Sequence, residues 1–346
     1  MINNKQVDID FVILWVDGED ISWLKERNKY FIQNHQRAGG DANDGCRYRS
    51  NSDLLRFWFR GVEKYANWVH KIFFISCGQI PAWLDTNNPI LEVVNHTDFM
   101  PAEFLPTFNN RPIHFNLHRI KNLSEHFVLF DDDMYILNPV YSDCFFRGGF
   151  PVLQAHLGYI NKGNSNWNRV LWNDYGIVNS NFNIGEQIWN FRYKWFNVKE
   201  LGVLHAVYNY LCYRINKTLP VYSFGHIPYP HLKSTIKEIW NCLPEDCRNT
   251  SMNKFRTDDQ LNQNLFSAWN QACGKFFPVS IDDSSRGLFY SVNTNNLLII
   301  CRSIERGKFS TICINDSSDN SDFKRVYSRL LESFYKKFPE KSTFER

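Results

Sequence analysis

The sequence predicts an α/β fold in which helices cover a largely parallel central sheet. Short apolar runs rich in β-branched and aromatic residues alternate with stretches of helical character, and this alternation is typical of parallel sheets. The chain has 346 residues, enough for one large domain or two ordinary ones. We expect a single domain over residues 1–346, in which 150–250 forms an inserted subregion.

Four apolar runs are predicted to form the strands of this sheet, at residues 8–16, 71–76, 90–95 and 127–130. Three of them are followed by polar or glycine-containing pairs or triplets. These are Asp17-Gly18, Cys77-Gly78 and Asp131-Asp132-Asp133. Since ligands bind beyond the carboxyl ends of parallel strands, we expect the functional site at this edge.

The segments between the first strands predict helices and one loop. Helical character follows the first strand over 19–36, and residues 39–51 are a polar loop. A second helix is predicted from Asp53, as its N-cap, through Tyr65.

The second half of the chain is predicted to combine loops, helices and two late strands. Residues 161–183 show no clean period and 225–234 are punctuated by prolines, so both are predicted to be loops. Helices are predicted over 201–215, 234–243, 257–272 with Thr257 as N-cap, and 321–338, and strands over 295–302 and 309–316.

Composition excludes several classes of protein. Hydrophobic residues make up 43% of the chain, which excludes wholesale disorder. The net charge of +3, from 39 basic and 36 acidic residues, argues against a dedicated nucleic-acid binder. The sequence has no apolar run long enough for a transmembrane helix, and its polar start does not resemble a signal peptide. We therefore expect a cytoplasmic protein.

The nine cysteines are scattered, without a CxxC pair. An odd number of cysteines in a cytoplasmic chain is typical of reduced thiols that pack as small apolar side chains. This spacing argues against a structural zinc site.

Asp131, Asp132 and Asp133 stand in a row between two apolar tetrapeptides, 127–130 and 134–137. Adjacent carboxylates repel one another unless a cation lies among them. Mg²⁺ and Mn²⁺ prefer carboxylate oxygens and often bridge them to phosphates. The apolar flanks favour a metal site over the alternative, a solvated acidic turn.

Asp17 is a second candidate, in the motif WVDG. Gly18 permits close approach of the backbone to a ligand. Trp15 lies on the same side of the strand as Asp17 and could contact a ring of the substrate or belong to the core. The alternative for Asp17 is a simple turn residue.

His231 and Arg256 are candidates of a third kind, because both could contact phosphate. His231 could donate to a phosphate oxygen or exchange a proton near neutral pH. Arg256 could bind phosphate in a bidentate manner, or pair with Asp258 or Asp259. A structural role is the alternative for both residues.

Four blocks of sequence together resemble a known family. IDFVILWVDGED (9–20) is the first block, the long run from RYRSN to DDDM (47–134) the second, IPYPHLKS (227–234) with FRTDD (255–259) the third, and ICIND (312–316) the fourth. In this order they are similar to the conserved regions of the Stealth family of capsular and cell-wall polysaccharide phosphotransferases. The catalytic part of N-acetylglucosamine-1-phosphotransferase is related to the same family.

This resemblance implies a fold like that of nucleotide-sugar transferases of the GT-A type. It implies transfer of a sugar 1-phosphate from a nucleotide diphosphate sugar, such as a UDP-N-acetylhexosamine, to a hydroxyl of a glycan acceptor. Attack on phosphorus would release a nucleoside monophosphate, and Mg²⁺ or Mn²⁺ is the implied cofactor.

The resemblance also suggests roles for individual residues. Asp132 and Asp133 would hold the metal, and Asp17 would orient or deprotonate the acceptor hydroxyl. Arg256 would bind the transferred phosphate and His231 would act as acid–base or phosphate donor. Substrate contacts are expected at Trp15, Gly18, Asn109, Arg119, Asn315 and Asp316.

Two positions depart from the family pattern. Asp131 stands where the family usually has asparagine, which keeps an oxygen ligand. His114 stands where the family usually has glutamate, so an acid is replaced by a residue that can be a cation.

Two other classes of function stay open at this point. An ordinary metal-dependent glycosyltransferase would release a nucleoside diphosphate, and a non-catalytic saccharide-binding protein would release nothing. In each case the partners would be saccharides, a nucleotide-sugar donor and an oligosaccharide or polysaccharide acceptor, and not nucleic acid. A peripheral association with the inner face of the membrane, the oligomeric state, and the identities of sugar and acceptor are left open by the sequence.

Overall fold

The computed structural model describes residues 7–33, 52–158, 166–215, 221–222, 226–280, 287–292, 295–316 and 322–346. The polar loop predicted at 39–51 lies outside these ranges. Among the described residues, no helix combines the length and the apolar character needed to cross a membrane.

Strands and helices are numbered in chain order. The strands are β1 (Ile9–Leu14), β2 (Ile72–Ser76), β3 (Leu91–Asn95), β4 (His126–Phe130), β5 (Met134–Ile136), β6 (Phe146–Arg147), β7 (Phe150–Gln154), β8 (Leu157–Gly158), β9 (Val221–Tyr222), β10 (Tyr229–Leu232), β11 (Phe277–Val279), β12 (Leu288–Val292) and β13 (Thr311–Asp316). The helices are α1 (Ile21–Gln33), α2 (Ser52–Tyr65), α3 (His96–Phe99), α4 (Asn110–Asn116), α5 (Asn166–Asn181), α6 (Ile184–Asn190), α7 (Arg192–Trp195), α8 (Val198–Leu201), α9 (Val203–Ile215), α10 (Lys233–Cys242), α11 (Pro244–Met252), α12 (Asn264–Ala272), α13 (Leu297–Arg306) and α14 (Phe323–Lys337).

The central sheet has the strand order β10-β4-β1-β2-β3. Strands β1 to β4 are parallel, with Phe11 of β1 opposite Ile72 of β2 and Val128 of β4. The edge strand β10 is antiparallel to β4. This confirms the predicted α/β fold with a mostly parallel sheet, and the four predicted strands form its parallel part.

A smaller sheet continues from the acidic triplet. Strand β5 begins at Met134, directly after the triplet, and pairs antiparallel with β13, which in turn pairs with β12. The Ile314 N–H donates a hydrogen bond to the Asp133 carbonyl (2.8 Å). The late strand predicted at 309–316 is therefore confirmed, and it fixes the backbone of the triplet from the other side.

Helix α2 packs across the junction of the two sheets. Its Trp58 ring contacts Phe130 of β4 edge to face, and Phe130 contacts Phe11 of β1 at a centroid distance of 4.8 Å. Gly61 lets the helix approach β5, because a Cβ there would lie 2.5 Å from the Ile136 carbonyl oxygen. Aromatic packing thus holds β4 and β5 rigidly on either side of the triplet.

The loop predicted at 161–183 is wrong for most of its length, because α5 occupies Asn166–Asn181. Val170, Tyr175 and Val178 are buried on one face of this helix, which packs against α12. Asparagine is a weak helix former, and the frequent asparagines of this segment hid the apolar face. Tertiary packing of that face overrides the propensity.

The strand predicted at 295–302 is also wrong, because α13 spans Leu297–Arg306. Leu297, Ile300, Cys301 and Ile304 are buried, at the spacing of a helix. A short run of consecutive apolar residues does not distinguish a strand from a buried helix.

Two loop and helix boundaries in the third block need correction. The loop predicted at 225–234 contains strand β10, and Pro230 is tolerated there because β10 is an edge strand. The helix predicted from Thr257 begins only at Asn264. Thr257 is not its N-cap, and its N–H donates to Gln260 Oε1 (3.0 Å) in a preceding turn.

The remaining helix predictions agree with the structure except at one cap. Helix α2 begins at Ser52, so Asp53 lies in its first turn and is not its N-cap. Helices within 201–215, 234–243 and 321–338 are confirmed as α9, α10 and α14. The cysteines within the described ranges are free thiols; Cys247, Cys301 and Cys313 are buried as predicted for small apolar side chains, whereas Cys77 and Cys242 are exposed.

Candidate functional site

The carboxyl ends of β1, β2 and β4 lie at one edge of the sheet, where polar residues follow each strand. The Asp17 N–H donates to Gln79 Oε1 (2.8 Å), and the Gln79 amide donates back to the Asp17 carbonyl (3.0 Å). Asp17 Oδ1 accepts from the Glu19 N–H (3.0 Å), an Asx turn. The loop after β1 is therefore held against the loop after β2, with Asp17 half-buried at the site edge.

His226 lies beside the acidic triplet. Its Nε2 is 3.9 Å from a carboxylate oxygen of Asp131 and 3.9 Å from one of Asp133. Residues 226–228 precede β10, and β10 runs antiparallel to β4, so the start of β10 lies at the edge where β4 ends. His226 is not among the residues predicted from the sequence, where His231 is the candidate instead.

Asp133 is the most unusual acid of the triplet. Burial raises its pKa above the ordinary value, and the neighbouring Asp131 carboxylate raises it further, against the opposing effect of His226. Its buried Oδ1 has no N–H or O–H donor among the described residues. A buried carboxylate oxygen without such a partner is costly unless a cation or a ligand approaches it.

The donor set around Asp133 suits a hard divalent cation. Ligand atoms of Asp133, His226 and Cys313 lie within 4.8 Å of one another, and Asp131 adds a further carboxylate next to His226. Burial, together with the neighbouring Asp133, raises the pKa of the Cys313 thiol well above its usual range. Carboxylate oxygens with one imidazole can hold Mg²⁺ or Mn²⁺, whereas a set that included the Cys313 sulfur would suit a softer ion such as Zn²⁺.

A buried hydrogen-bonded chain extends from His226 away from the acids. Tyr229 Oη lies 2.5 Å from His226 Nδ1. The Tyr229 hydroxyl also hydrogen-bonds the Gln263 side chain, and this bond lowers the Tyr229 pKa against the larger effect of burial. His114 Nδ1 donates to Gln263 Oε1 (3.1 Å). The Tyr229 hydroxyl and the acids therefore lie at opposite nitrogens of the His226 ring.

His114 connects this chain to the basic residues of the site. It is completely buried, and burial lowers its pKa to about 4, so the ring is neutral at physiological pH. Asp131 raises the pKa of His114, whereas Arg256 and Arg111 lower it. The departure at position 114 thus places a neutral imidazole between the acidic and the basic sides of the site.

Two guanidinium groups form the basic side. Burial and, to a smaller extent, the nearby Arg256 lower the pKa of Arg111 to about 10. Arg111 Nη1 donates to the Thr257 carbonyl (2.7 Å) and to Gln260 Oε1 (3.0 Å), which fixes Arg111 under the loop that contains Arg256. Two like charges held close together are a suitable seat for an anion such as phosphate. Arg111 was not among the residues selected from the sequence.

His231 lies in the core and not at the edge with the acids. It is completely buried on β10 opposite Phe127, between the rings of Tyr229 and Phe266. Burial lowers its pKa to about 3. The surroundings of His231 are those of a structural residue, which is the alternative role given above for this histidine.

Asn109 and Arg119 make contacts that hold neighbouring segments of the chain together. Asn109 caps α4 by accepting from the Arg111 N–H (3.2 Å), and its amide donates to the Phe255 carbonyl (3.2 Å). It therefore positions both arginine-bearing segments. Arg119 donates to Asn116 (2.9 Å) and stacks over the Trp240 ring.

The remaining predicted contacts lie near the strand ends. Trp15 is buried and packs against Phe74, so it belongs to the core, which is the alternative role given above for this residue. Gly18 is buried beside Asp17. Asn315 is half-buried on β13, next to the residue that bonds the Asp133 carbonyl. Asp316 ends β13, and its side chain lies outside the described part of the structure.

The signal that could have identified His226 is topological. If 229–232 is an antiparallel edge strand beside β4, its first residues must lie at the carboxyl end of β4 and its last residues at the opposite end. The prolines at 228 and 230 indicate a loop instead. In a loop, His226 and His231 cannot be assigned to opposite ends of a strand.

Two regions of the chain match models of a known family. Residues 7–34 match the model of Stealth protein conserved region 1, and residues 47–151 match that of conserved region 2. These two regions contain Asp17 and the acidic triplet.

Several relatives are similar to the chain along its whole length. The capsular polysaccharide phosphotransferase WcwK of Streptococcus pneumoniae is 36% identical over 352 residues, which cover 100% of both chains. The receptor polysaccharide phosphotransferase WefC of Streptococcus gordonii is 34% identical, covering 97% of this chain and 98% of the relative. The exopolysaccharide phosphotransferase cps2G of Lactiplantibacillus plantarum is 31% identical, covering 100% and 98%.

Among solved structures, the apo structure of the bifunctional glycosyltransferase WbbM matches 96% of this chain and 51% of its own, with a TM-score of 0.41 and 8% identity. A similarity this low has no bearing on function, and the fold assignment above stands on the strand order. The end-to-end relatives, together with the two matched regions, confirm the resemblance seen in the motifs: the chain belongs to the Stealth family.

Proposed function

We propose that this protein transfers a sugar 1-phosphate from a nucleotide diphosphate sugar to a hydroxyl of a glycan acceptor. The product is a phosphodiester in a capsular or cell-wall polysaccharide, and a UDP-N-acetylhexosamine is the first donor to test. The names of the relatives support the reaction class. The observation that supports it most directly is the position of His226. On one side the His226 ring lies close to two carboxylates, and on the other it is connected through Tyr229, Gln263 and His114 to the guanidinium side of the site.

Asp133 and His226, with Asp131 beside His226 and with Asp132 as the sequence predicted, would hold Mg²⁺ or Mn²⁺. Such an ion supplies neutralisation of the diphosphate charge when it is bound. Asp133 Oδ1, which has no N–H or O–H donor among the described residues, is the atom that fits this role.

The protein's own residues then account for the transfer. The acceptor oxygen forms a bond to phosphorus, the bond from phosphorus to the nucleoside monophosphate breaks, and the acceptor proton passes to Asp17. Arg256, supported by Arg111, binds the equatorial phosphate oxygens. His226 donates from Nε2 to the phosphate, the role predicted from the sequence for His231.

The setting of the reaction is part of the same proposal. Residues 1–346 act as a single catalytic domain, and 150–250 lies on the acceptor side, where aromatic side chains suit sugar rings. The protein acts in the cytoplasm, with a peripheral contact to the inner face of the membrane. Its partners are the nucleotide-sugar donor and the growing saccharide.

The test is a product assay. The protein is incubated with UDP-N-acetylglucosamine and a panel of other nucleotide sugars, Mg²⁺ or Mn²⁺, and an oligosaccharide acceptor, and the released nucleotide is identified by chromatography. Nucleoside monophosphate that disappears with chelator is the expected result. Release of nucleoside diphosphate would show an ordinary glycosyltransferase, and binding of the sugars without turnover would show a saccharide-binding protein.

A further inference from the structure

Helix α9 turns its polar side toward the protein and its apolar side toward solvent, the reverse of an ordinary surface helix. It buries His205, Ala206 and Asn209 and exposes its large apolar side chains. Leu204 is 88% exposed and Ile215 is 79% exposed. A helix that packs on a core normally does the opposite, because burial of apolar surface is the main source of its stability.

The inverted orientation is specified by polar contacts on the buried side. The Asn209 amide donates to the Ala155 carbonyl (2.7 Å) and the Trp195 carbonyl (2.9 Å), and Asn209 Oδ1 accepts from the Leu157 N–H (3.0 Å). His205 lies within hydrogen-bonding distance of Ser280 Oγ (3.0 Å). Rotating the helix to bury its apolar side would leave these groups without partners, which is costly. The outward apolar face is therefore built into the fold.

This face extends over the neighbouring helices α6 to α8. Of the 21 large hydrophobic side chains that are exposed in the described residues, ten fall within 189–215. We define the α9 surface by these ten: Trp189, Tyr193, Val198, Val203, Leu204, Val207, Tyr208, Tyr210, Leu211 and Ile215. A concentration of this kind on a water-soluble surface marks a binding face.

The charges around the α9 surface indicate its partner. Helix α9 contains no acidic residue, and Arg192, Lys199 and Arg214 are exposed around it, against a single exposed acid in α6 to α9, Glu186. The Arg192 guanidinium lies over the Trp189 ring, 5.3 Å from its centroid. Exposed aliphatic, tyrosine and tryptophan side chains, with exposed basic residues among them, are the composition of a helix that lies in the interface of an anionic bilayer.

We propose that the α9 surface docks the protein on anionic phospholipid. The proposal rests on the membrane contact included in the proposed function, and it specifies which surface makes that contact and which lipid charge it binds. Lipid binding can be measured without any turnover.

The experiment is vesicle flotation of the full chain. The protein is mixed with phosphatidylcholine vesicles, or with vesicles of which roughly one-third is phosphatidylglycerol. We expect flotation with the anionic vesicles, weakened by salt, and little with phosphatidylcholine alone. The double variant Leu204→Glu/Leu211→Glu should bind at least about tenfold more weakly, because it removes apolar contact and adds negative charge.

A matched control uses two other exposed apolar residues. Leu298 and Ile299 on α13 are 52% and 58% exposed, so Leu298→Glu/Ile299→Glu adds the same charge elsewhere. This variant should float like the unchanged protein. Equal loss of flotation in both double variants, or no flotation on anionic vesicles at all, would overturn the proposal.

Gel filtration and the product assay distinguish the remaining outcomes. If the unchanged protein is a dimer and Leu204→Glu/Leu211→Glu is a monomer, the α9 surface joins two copies and the lipid proposal is wrong. Loss of sugar-phosphate transfer in every form, with flotation intact, would contradict the proposed reaction and leave the docking surface standing.

Discussion

The hydroxyl of Tyr229 lies 2.5 Å from Nδ1 of His226, on the side of the ring opposite the Asp131 and Asp133 carboxylates. Gln263 hydrogen-bonds the same hydroxyl. The arrangement fixes the orientation of the imidazole between the phenol and the carboxylates.

Tyr229→Phe should therefore impair turnover without impairing donor binding. We expect kcat to fall about 10- to 100-fold, the usual effect of removing the partner that orients a functional histidine, with little change in KM for the nucleotide sugar. Histidine ¹⁵N spectra should show His226 protonated at Nε2 in the unchanged protein and as a tautomer mixture in the variant. Tyr65→Phe is the control, because Tyr65 is the last residue of α2 and its ring packs against Phe338. An unchanged tautomer in Tyr229→Phe would exclude the orienting role.

Asp133→Asn should weaken binding of divalent cations. We expect Mn²⁺ affinity to fall at least about tenfold, since a carboxylate ligand becomes a neutral amide. Because burial raises the Asp133 pKa, the affinity of the unchanged protein should also fall as the pH is lowered, starting above the range of an ordinary aspartate. Calorimetric titration with Mn²⁺ measures both effects. Asp143→Asn, at an exposed acid, is the control, and equal Mn²⁺ affinity in both variants would place the cation elsewhere.

Arg256→Lys should retain the charge and lose the planar fork. We expect kcat/KM for the nucleotide sugar to fall about 10- to 100-fold, the value of one or two hydrogen bonds between charged groups. Arg248→Lys is a matched control, because Arg248 only pairs with Glu103 at the surface. Steady-state kinetics with a fixed acceptor concentration measures the effect. If Arg256→Lys behaves like Arg248→Lys, the phosphate is bound by other residues.

His231→Phe should change stability at acidic pH and leave turnover near neutral pH intact. The folded His231 has a pKa of about 3, against 6.5 for an exposed histidine, so between these values the unfolded chain binds a proton that the folded protein does not. The free energy of unfolding therefore falls as the pH is lowered through this window, and His231 accounts for about 2 kcal/mol of the loss at about pH 5.

Urea denaturation of both proteins near pH 7 and near pH 5 measures this difference. The variant should lose less stability on acidification than the unchanged protein, because phenylalanine has no proton to bind. A fall in kcat near pH 7 in a folded His231→Phe protein would instead restore the acid–base role that the sequence suggested for this residue.

The sequence alone determined the framework of the site. Buried apolar runs that end in acidic or glycine residues have a direct physical meaning, because a strand of that composition must be covered on both faces and can present polar groups only at its end. For this reason Asp17 and the acidic triplet were placed at the correct edge. The family followed from the motifs at the same positions.

Only the tertiary structure decided which other side chains reach that edge. His226 and His231 are five residues apart in sequence, yet one faces the acids and the other is in the core, because β10 runs antiparallel to β4. Arg111 and Arg256 meet because Asn109 ties their two segments together. The outward apolar face of α9 depends on hydrogen bonds made by His205 and Asn209 with residues distant in the chain. Sequence patterns record which residues are apolar, whereas long-range hydrogen bonds and strand direction determine which way each side chain points.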